Sequence, residues 1–163
     1  MNEETKLSYF TDGSADPNPG EGGFAVVKNG QAYIIGGERF PEDLDNNRTT
    51  NIRMEATAIL TALEDAAGQK CTITTDSQFW INVLTKWAPG WKKRGWTKKS
   101  GPIKNLELVK RTYNAYTSSK AQLIWTRGHV GTELNEKADH WAKYARQHHL
   151  SQPVKVADLA DTQ

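Results

Sequence analysis

The chain of 163 residues suits one domain, and its composition, 37% hydrophobic and 25% charged, excludes disordered and fibrous classes. The net charge is only +2, so total charge gives no argument for a nucleic-acid partner. The one cysteine, Cys71, excludes an internal disulfide and agrees with a reducing compartment. The polar, acidic N-terminus carries no apolar signal region, and no apolar run is long enough to span a membrane, so we expect a cytoplasmic protein.

The first part of the chain predicts an antiparallel meander. Residues 7–11 are typical of a strand that ends at Asp12-Gly13, and residues 24–28 are typical of a second strand. Asn29-Gly30 is a strong hairpin signal, and residues 31–40 continue as a third strand.

The rest of the chain alternates between helices and strands. Apolar residues at helical spacing predict a helix that Gly68 ends: Ile52, Ala56, Ile59, Leu60, Leu63 and Ala67. A strand at 71–75 follows, and Ser77 is a good N-cap for the next helix. The later elements are an irregular stretch at 87–101, a helix at 103–116, a strand at 123–126, a loop at 128–131 and a helix from 134. This order predicts an α/β fold with a mixed sheet.

Four carboxylates are candidates for one site. Asp12 and Asp76 each follow a predicted strand, and ligands bind at the carboxyl ends of strands in open α/β sheets. Glu55 and Asp139 lie at the edges of helical apolar stripes. Converging acids need a cation, and oxygen ligands without a Cys or His cluster favour Mg²⁺ or Mn²⁺ over Zn²⁺. Taken singly, each Asp is more often a turn or cap residue, and periodicity alone cannot show that the four converge.

A basic handle stands out in the charge distribution. We define it as residues 86–104, where no Asp or Glu interrupts seven cations: Lys86, Lys92, Lys93, Arg94, Lys98, Lys99 and Lys104. Such a stretch predicts phosphate contacts of sequence-independent, salt-dependent affinity. The alternative is a solvated basic face with tryptophans buried beneath it.

Five motifs, in order and spanning about residues 6–148, resemble those of bacterial-type ribonuclease H, type 1. They are Thr11-Asp12-Gly13-Ser14 with Asn18-Pro19-Gly20, Thr50-Asn51-Ile52-Arg53-Met54-Glu55, Thr75-Asp76-Ser77-Gln78, Trp87 with Trp91-Lys92-Lys93-Arg94-Gly95-Trp96, and Gly128-His129-Val130-Gly131 with Asn135-Glu136-Lys137-Ala138-Asp139. The resemblance implies a five-stranded mixed sheet, three strands antiparallel and then parallel, flanked by helices. It also implies one catalytic domain at 1–148, followed by a tail at 149–163.

The resemblance further implies a monomeric endonuclease that hydrolyses the RNA strand of RNA–DNA hybrids and leaves 5′-phosphate and 3′-hydroxyl ends. Asp12, Glu55, Asp76 and Asp139 would bind two Mg²⁺ ions, for which Mn²⁺ could substitute. His129 would assist proton movement or product departure.

The two strands of the hybrid would be bound by different residues. RNA shows its 2′-hydroxyls in a wide, shallow minor groove, and the resemblance assigns Asn18, Asn51 and Gln78 to that strand. For the DNA strand it implies a phosphate pocket formed by Arg48, Thr50 and Asn105, and packing of Trp87 on a deoxyribose. The handle residues Lys92, Lys93, Arg94 and Trp96 would add further contacts to that strand. The family usually has a polar amide where this chain has Ile52, which predicts weaker substrate binding with intact chemistry.

Other interpretations remain open at this stage. The chain could be a non-catalytic hybrid-binding module, or a domain cut from a reverse transcriptase. It could also be a different nuclease of the same superfamily, acting on DNA junctions or as a transposase. The tail could be disordered, or it could pack on the domain through Val154, Val156 and Leu159.

Overall fold

A mixed sheet of six strands organises the residues that the computed structural model describes, 6–127 and 133–159. The strands are β1 (Leu7–Ala15), β2 (Gly22–Lys28), β3 (Gln31–Gly36), β4 (Lys70–Thr75), β5 (Lys120–Trp125) and β6 (Val154–Lys155). Their order across the sheet is β5-β4-β1-β2-β3-β6. β1, β2 and β3 form the predicted antiparallel meander, whereas β4 pairs parallel to both β1 and β5.

Helices cover both faces of this sheet. They are α1 (Asn51–Ala66), α2 (Gln78–Asn82), α3 (Ala88–Lys93), α4 (Leu106–Thr117), α5 (Glu133–Gln147) and α6 (Val156–Leu159). A π-helical segment, Val83–Trp87, joins α2 to α3, so the first half of the handle is helical. None of the helices in the described ranges is long and apolar enough to cross a membrane.

The two faces bury different cores because side chains alternate along each strand. On one face, Tyr9 and Ile73 pack with α1 and α4 in the larger core. On the other, Ala25 and Ile35 pack against the small side chains of α5. Gly23 allows α5 to lie directly on the sheet, since a Cβ there would be 2.3 Å from the Ala142 carbonyl oxygen.

The strand count and several strand ends differ from the predictions, and β5 in particular starts three residues before its predicted position. β1 does not end at Asp12 but continues to Ala15, because β2 pairs with it along that whole length. β3 ends at Gly36 rather than at residue 40. β6 is a sixth strand that the family resemblance did not imply, and two residues are too few to show a strand pattern in the sequence.

The described part of the tail packs on the domain. Val154 of β6 pairs with Ile35 at the edge of the sheet. Val154, Val156 and Leu159 pack against the core that Ala25 and Ile35 form with α5. Of the two alternatives for the tail, the structure therefore has the packed one up to Leu159.

Candidate active site

Asp12 and Asp76 lie on neighbouring strands because of the register between β1 and β4. The last pair in that parallel ladder is Thr11 with Thr75, and each acid is the next residue along its strand. Asp12 thus comes where β1 loses its parallel neighbour, although β1 itself continues. Asp12 is 7% exposed, so its carboxyl group is largely removed from water.

Glu55 reaches the same place because α1 crosses very close to β1. A Cβ on Gly13 would lie 2.3 Å from the Glu55 amide nitrogen, so only glycine permits this approach. Thr50 caps the helix by accepting a hydrogen bond from the Arg53 amide at 3.1 Å, which starts α1 one turn before Glu55. The Glu55 carboxylate also accepts a hydrogen bond from Ser77, the N-cap of α2.

Asp139 completes the group from the opposite face of the sheet. It lies on α5, and its carboxyl is hydrogen-bonded to that of Asp12. One Asp139 oxygen also pairs with Lys143 Nζ at 3.0 Å, one helical turn further on. The four predicted carboxylates therefore line one open cleft of about 380 Å³.

The cleft disfavours the ionised forms of two of its acids, Asp12 and Glu55. Burial, with the charges of Asp76 and Asp139, raises the pKa of Asp12 to about 8. Burial and the charge of Asp76 also raise the pKa of Glu55 to about 8, although the Ser77 hydrogen bond acts in the opposite direction. A cation held among these oxygens would lower both pKa values, because it would offset the repulsion between the carboxylates. The arrangement of the acids therefore fits a metal ion.

Oxygen atoms make up the acidic lining of the cleft, and hard divalent cations prefer such ligands. Within residues 6–127 and 133–159, however, no three His, Cys, Asp or Glu side chains form a ready-made metal cage. Asp139 is instead hydrogen-bonded to Asp12 and ion-paired with Lys143.

Three polar residues of this site were missed by the sequence reasoning. Ser77 donates to Glu55, Lys143 pairs with Asp139, and Arg146 Nη1 donates to Ser14 Oγ at 2.6 Å. The positions of Lys143 and Arg146, four and seven residues after Asp139, were a usable signal because they share its side of the helix.

Two of the residues predicted to bind RNA are linked at the mouth of the cleft. Asn51 lines it, and its Oδ1 accepts a hydrogen bond from the Ala15 amide at 2.6 Å. Asn18 Oδ1 accepts from the Asn51 amide at 3.1 Å. Gln78 is the exposed first residue of α2, outside the lining of the cleft.

Thr50 and Asn105, two of the three residues predicted to form a phosphate pocket, are connected through Arg53. The Arg53 amide donates to Thr50 Oγ1, and Arg53 Nη1 donates to Asn105 Oδ1 at 3.1 Å. The same guanidinium forms a buried ion pair with Glu38 through Nε at 2.7 Å and Nη2 at 3.1 Å. Arg48 is exposed just before this group.

An aromatic groove of about 220 Å³ lies on the other side of the first turn of α1. Its rim includes Trp87, which is 41% exposed, and its wall includes Ile52 and Asn105. Trp87 contacts Phe79 edge-on with ring centroids 5.8 Å apart. Asn51 lines the acidic cleft and Ile52 lines this groove, so one residue step separates the two surfaces.

The handle contains both exposed cations and buried aromatic rings. Lys92, Lys93 and Arg94 are exposed at the end of α3. Trp96 is instead partly buried, with its ring edge-on to Tyr113 at 5.9 Å. The packing of Trp96 agrees with buried tryptophans beneath the handle, and phosphate binding by its exposed cations stays a prediction. His129, the remaining predicted catalytic residue, lies outside the described residues.

Comparisons with known proteins agree with this arrangement. A family model described as RNase H matches residues 4–147. A ribonuclease H of Methylorubrum extorquens is 39% identical over 146 residues, which cover 87% of this chain and 60% of that protein. A ribonuclease H of Acidiphilium cryptum is 38% identical over 157 residues, 93% of this chain and 92% of that protein. The solved structure of LC9-RNase H1, described as a type 1 RNase H with the type 2 active-site motif, gives a TM-score of 0.74 at 26% identity, covering 95% of this chain and 80% of that one.

Proposed function

The chain belongs to the RNase H family, and from this premise we propose that it is an endonuclease that hydrolyses the RNA strand of RNA–DNA hybrids. The products would carry 5′-phosphate and 3′-hydroxyl ends. The proposal rests on one observation above all: a cleft with four carboxylates lies one residue step from an aromatic groove beside a basic handle.

This juxtaposition suits a duplex in which only one strand is cut. A strand in the acidic cleft would bring its phosphate to the carboxylates, while its partner strand would lie against the groove and the handle. Asn51 and Asn18 are at the mouth of the cleft, where short hydrogen-bonding groups can contact a 2′-hydroxyl. Gln78 lies just after Asp76 and could contact the same strand.

The partner strand would be recognised as DNA through close apolar contacts that a 2′-hydroxyl would obstruct. Trp87 offers a half-exposed ring for a deoxyribose. Arg48, Thr50 and Asn105 would bind one of its phosphates, with Arg53 holding Asn105 in place. Exposed Lys92, Lys93 and Arg94 would add phosphate contacts, and packed Trp96 would support them.

Ribonucleases H depend on divalent metal ions, and the residues of this cleft fit such ions. Asp12, Glu55, Asp76 and Asp139 would hold two, with Mg²⁺ as the physiological ion and Mn²⁺ as a substitute. When bound, such ions would supply activation of the attacking water and stabilisation of the leaving oxygen. Ser77 would keep Glu55 oriented, and His129 would assist proton movement or product departure.

The wider context is also part of the proposal. Residues 1–148 would form the catalytic domain, with the tail at 149–163 outside the chemistry. We place the enzyme in the cytoplasm as a monomer, a location that agrees with its single, buried, free cysteine, Cys71.

Cleavage of one labelled RNA strand tests the proposal. The strand is assayed alone, paired with RNA and paired with DNA, each with Mg²⁺ and with EDTA, and a DNA duplex is assayed beside them. We expect cutting only of the hybrid and only with metal. Hybrid binding without cutting would support the hybrid-binding module, and cutting of the DNA duplex would support a related nuclease.

A further inference from the structure

Arg146 lines the cleft but contacts Ser14 rather than one of the four carboxylates. Ser14 and Gly23 are register partners on β1 and β2, and a Cβ on Gly23 would lie 2.5 Å from the Arg146 amide nitrogen. The Arg146 backbone therefore lies directly over this pair, and its guanidinium donates to Ser14 Oγ at 2.6 Å.

Two rows of side chains lead outward from the acids to this point. Ser14 is two residues beyond Asp12 on the same face of β1, which corresponds to about 7 Å along a strand. On α5, Arg146 is seven residues beyond Asp139, about 10 Å or two turns along the helix. Because Asp139 bonds to Asp12 and Arg146 bonds to Ser14, the two rows run side by side.

The two cations in these rows differ in how their charges are balanced. Lys143 forms an ion pair with Asp139. Arg146 forms no ion pair with any residue in the described ranges, and its one hydrogen bond leaves most of its five N–H donors unused. A half-buried guanidinium with unused donors, lining a cleft for a polyanion, is suited to bind a phosphate through its planar fork.

We propose that Arg146 and Ser14 form a phosphodiester subsite for the strand that is cut, one linkage away from the scissile phosphate. This inference rests on the proposed function and adds to it a binding residue and a position on the substrate. Lys143 lies on α5 between Asp139 and Arg146 and is a second cation in the lining of the cleft. The subsite positions the strand along β1 and takes no part in the chemistry.

The variants Arg146→Gln and Arg146→Lys test the subsite by steady-state kinetics on the hybrid. We expect Arg146→Gln to raise KM roughly tenfold with kcat nearly unchanged, as for loss of a charge-assisted hydrogen bond. It should also reduce the slope of log KM against log salt concentration by about 0.7–0.9, the value for one phosphate contact. Arg146→Lys should keep the salt slope and lose only part of the affinity, because its charge remains without the fork.

Lys155→Gln is the matched control, since it removes one positive charge from an exposed residue at the far edge of the sheet. We expect wild-type KM and salt slope from it. A lower thermal midpoint for Arg146→Gln with unchanged KM and salt slope would mean that Arg146 only fastens α5 to β1, and the subsite would be rejected.

A second measurement keeps the proposal testable if Arg146→Gln folds poorly. The substrate carries a short ribonucleotide block that confines cleavage, and single neutral methylphosphonate linkages are placed in turn on either side of it. For the wild-type enzyme, one linkage next to the scissile phosphate should raise KM about tenfold, and Arg146→Lys should reduce this penalty. Equal KM values at every flanking linkage would overturn the subsite, whereas a wild-type enzyme that cuts no hybrid would overturn the proposed function instead.

Discussion

Two clusters of buried charge meet α1 within three residues of each other, and they are built in opposite ways. Arg53 forms a two-pronged ion pair with Glu38, which also accepts hydrogen bonds from Thr49 and from the Phe40 amide. Burial alone would raise the pKa of Glu38, but these donors outweigh it and hold that pKa below its usual value. At Glu55 and Asp12, burial and neighbouring acids instead raise the pKa to about 8.

The difference distinguishes an acid whose charge is paired within the fold from acids that raise one another's pKa values. Glu38 has its donors built into the fold, so its ionised form is favoured without an ion from outside the protein. In the cleft, burial and neighbouring acids favour the protonated forms of Asp12 and Glu55. Local electrostatic strain of this kind is typical of sites that bind ions or do chemistry.

The largest expected effect is on activity, from Asp12→Asn. The amide removes one negative oxygen from the cleft, and if a metal ion there is worth several kcal/mol, hybrid cleavage should fall on the order of 1000-fold. Asp16→Asn is the matched control, because Asp16 is an exposed acid at the rim of the same cleft. Initial rates with saturating Mg²⁺ measure both, and equal losses would remove the distinction between the central acid and the rim.

The next effect is on stability, from Arg53→Met. Arg53 is 3% exposed, and its loss leaves Glu38 buried without its main partner, which should lower the free energy of unfolding by about 3–5 kcal/mol. Arg39→Met is the matched control, since its partner Glu64 is 49% exposed and the expected loss is below about 1 kcal/mol. Urea unfolding measures both. Arg53→Met combined with Glu38→Leu should recover much of the loss, and no recovery would count against the ion-pair explanation.

A moderate effect is expected on the pH dependence of stability. Asp12 and Glu55 have folded-state pKa values near 8, above the values near 4 of the unfolded chain, so between these limits the folded state holds more protons. Their contribution is therefore complete below about pH 4 and is lost as the pH rises towards 8. We expect the thermal midpoint without metal to fall over this range, and Mg²⁺ to restore more of it at pH 8 than at pH 6.

The Asp12→Asn variant serves as the control for that titration, because it cannot ionise at this position. Its thermal midpoint should depend less on pH, and Mg²⁺ should stabilise it less. A wild-type midpoint that rises steadily from pH 5 to pH 8 without metal would show that the acids do not hold protons as described.

The smallest effect is expected from Ile52→Asn. Ile52 is 38% exposed beside Asn51, and an amide there could add one hydrogen bond to the substrate. We expect KM for the hybrid to fall about fivefold, the equivalent of about 1 kcal/mol, with kcat unchanged. The backbone contact from Trp80 Nε1 to the Ile52 carbonyl, 2.7 Å long, is independent of the side chain. An unchanged or higher KM would contradict the prediction.

The sequence predicted the alternation of elements and the four acids, because both are local signals or motif matches. The meander, the N-cap at Ser77 and the end of α1 before Gly68 all follow from neighbouring residues, and the structure has each of them. That the acids share one cleft followed from the family motifs rather than from periodicity, since convergence depends on register. The sequence places Asp12 and Asp76 at the ends of predicted strands, but the register of Thr11 with Thr75 that brings them side by side has no sequence signal.

Long-range polar contacts were the part that the sequence could not predict. Arg146 and Ser14 are 132 residues apart, and Arg53 and Glu38 are 15 apart in different elements. Helical periodicity predicts that Arg53 lies on α1, but it does not predict that Glu38, in a loop, pairs with it. The close approaches at Gly13 and Gly23 likewise became visible only with the neighbouring backbone in place.

The most direct test of this account is calorimetric titration of the metal-free protein with Mn²⁺ at pH 7 in two buffers of different ionisation enthalpy, for wild type and Asp12→Asn. We expect wild type to bind the ion and release protons, because Asp12 and Glu55 hold protons at this pH. Asp12→Asn should bind more weakly and release fewer protons. Equal affinity and equal proton release in the two proteins would contradict the claim that these buried acids form the metal site.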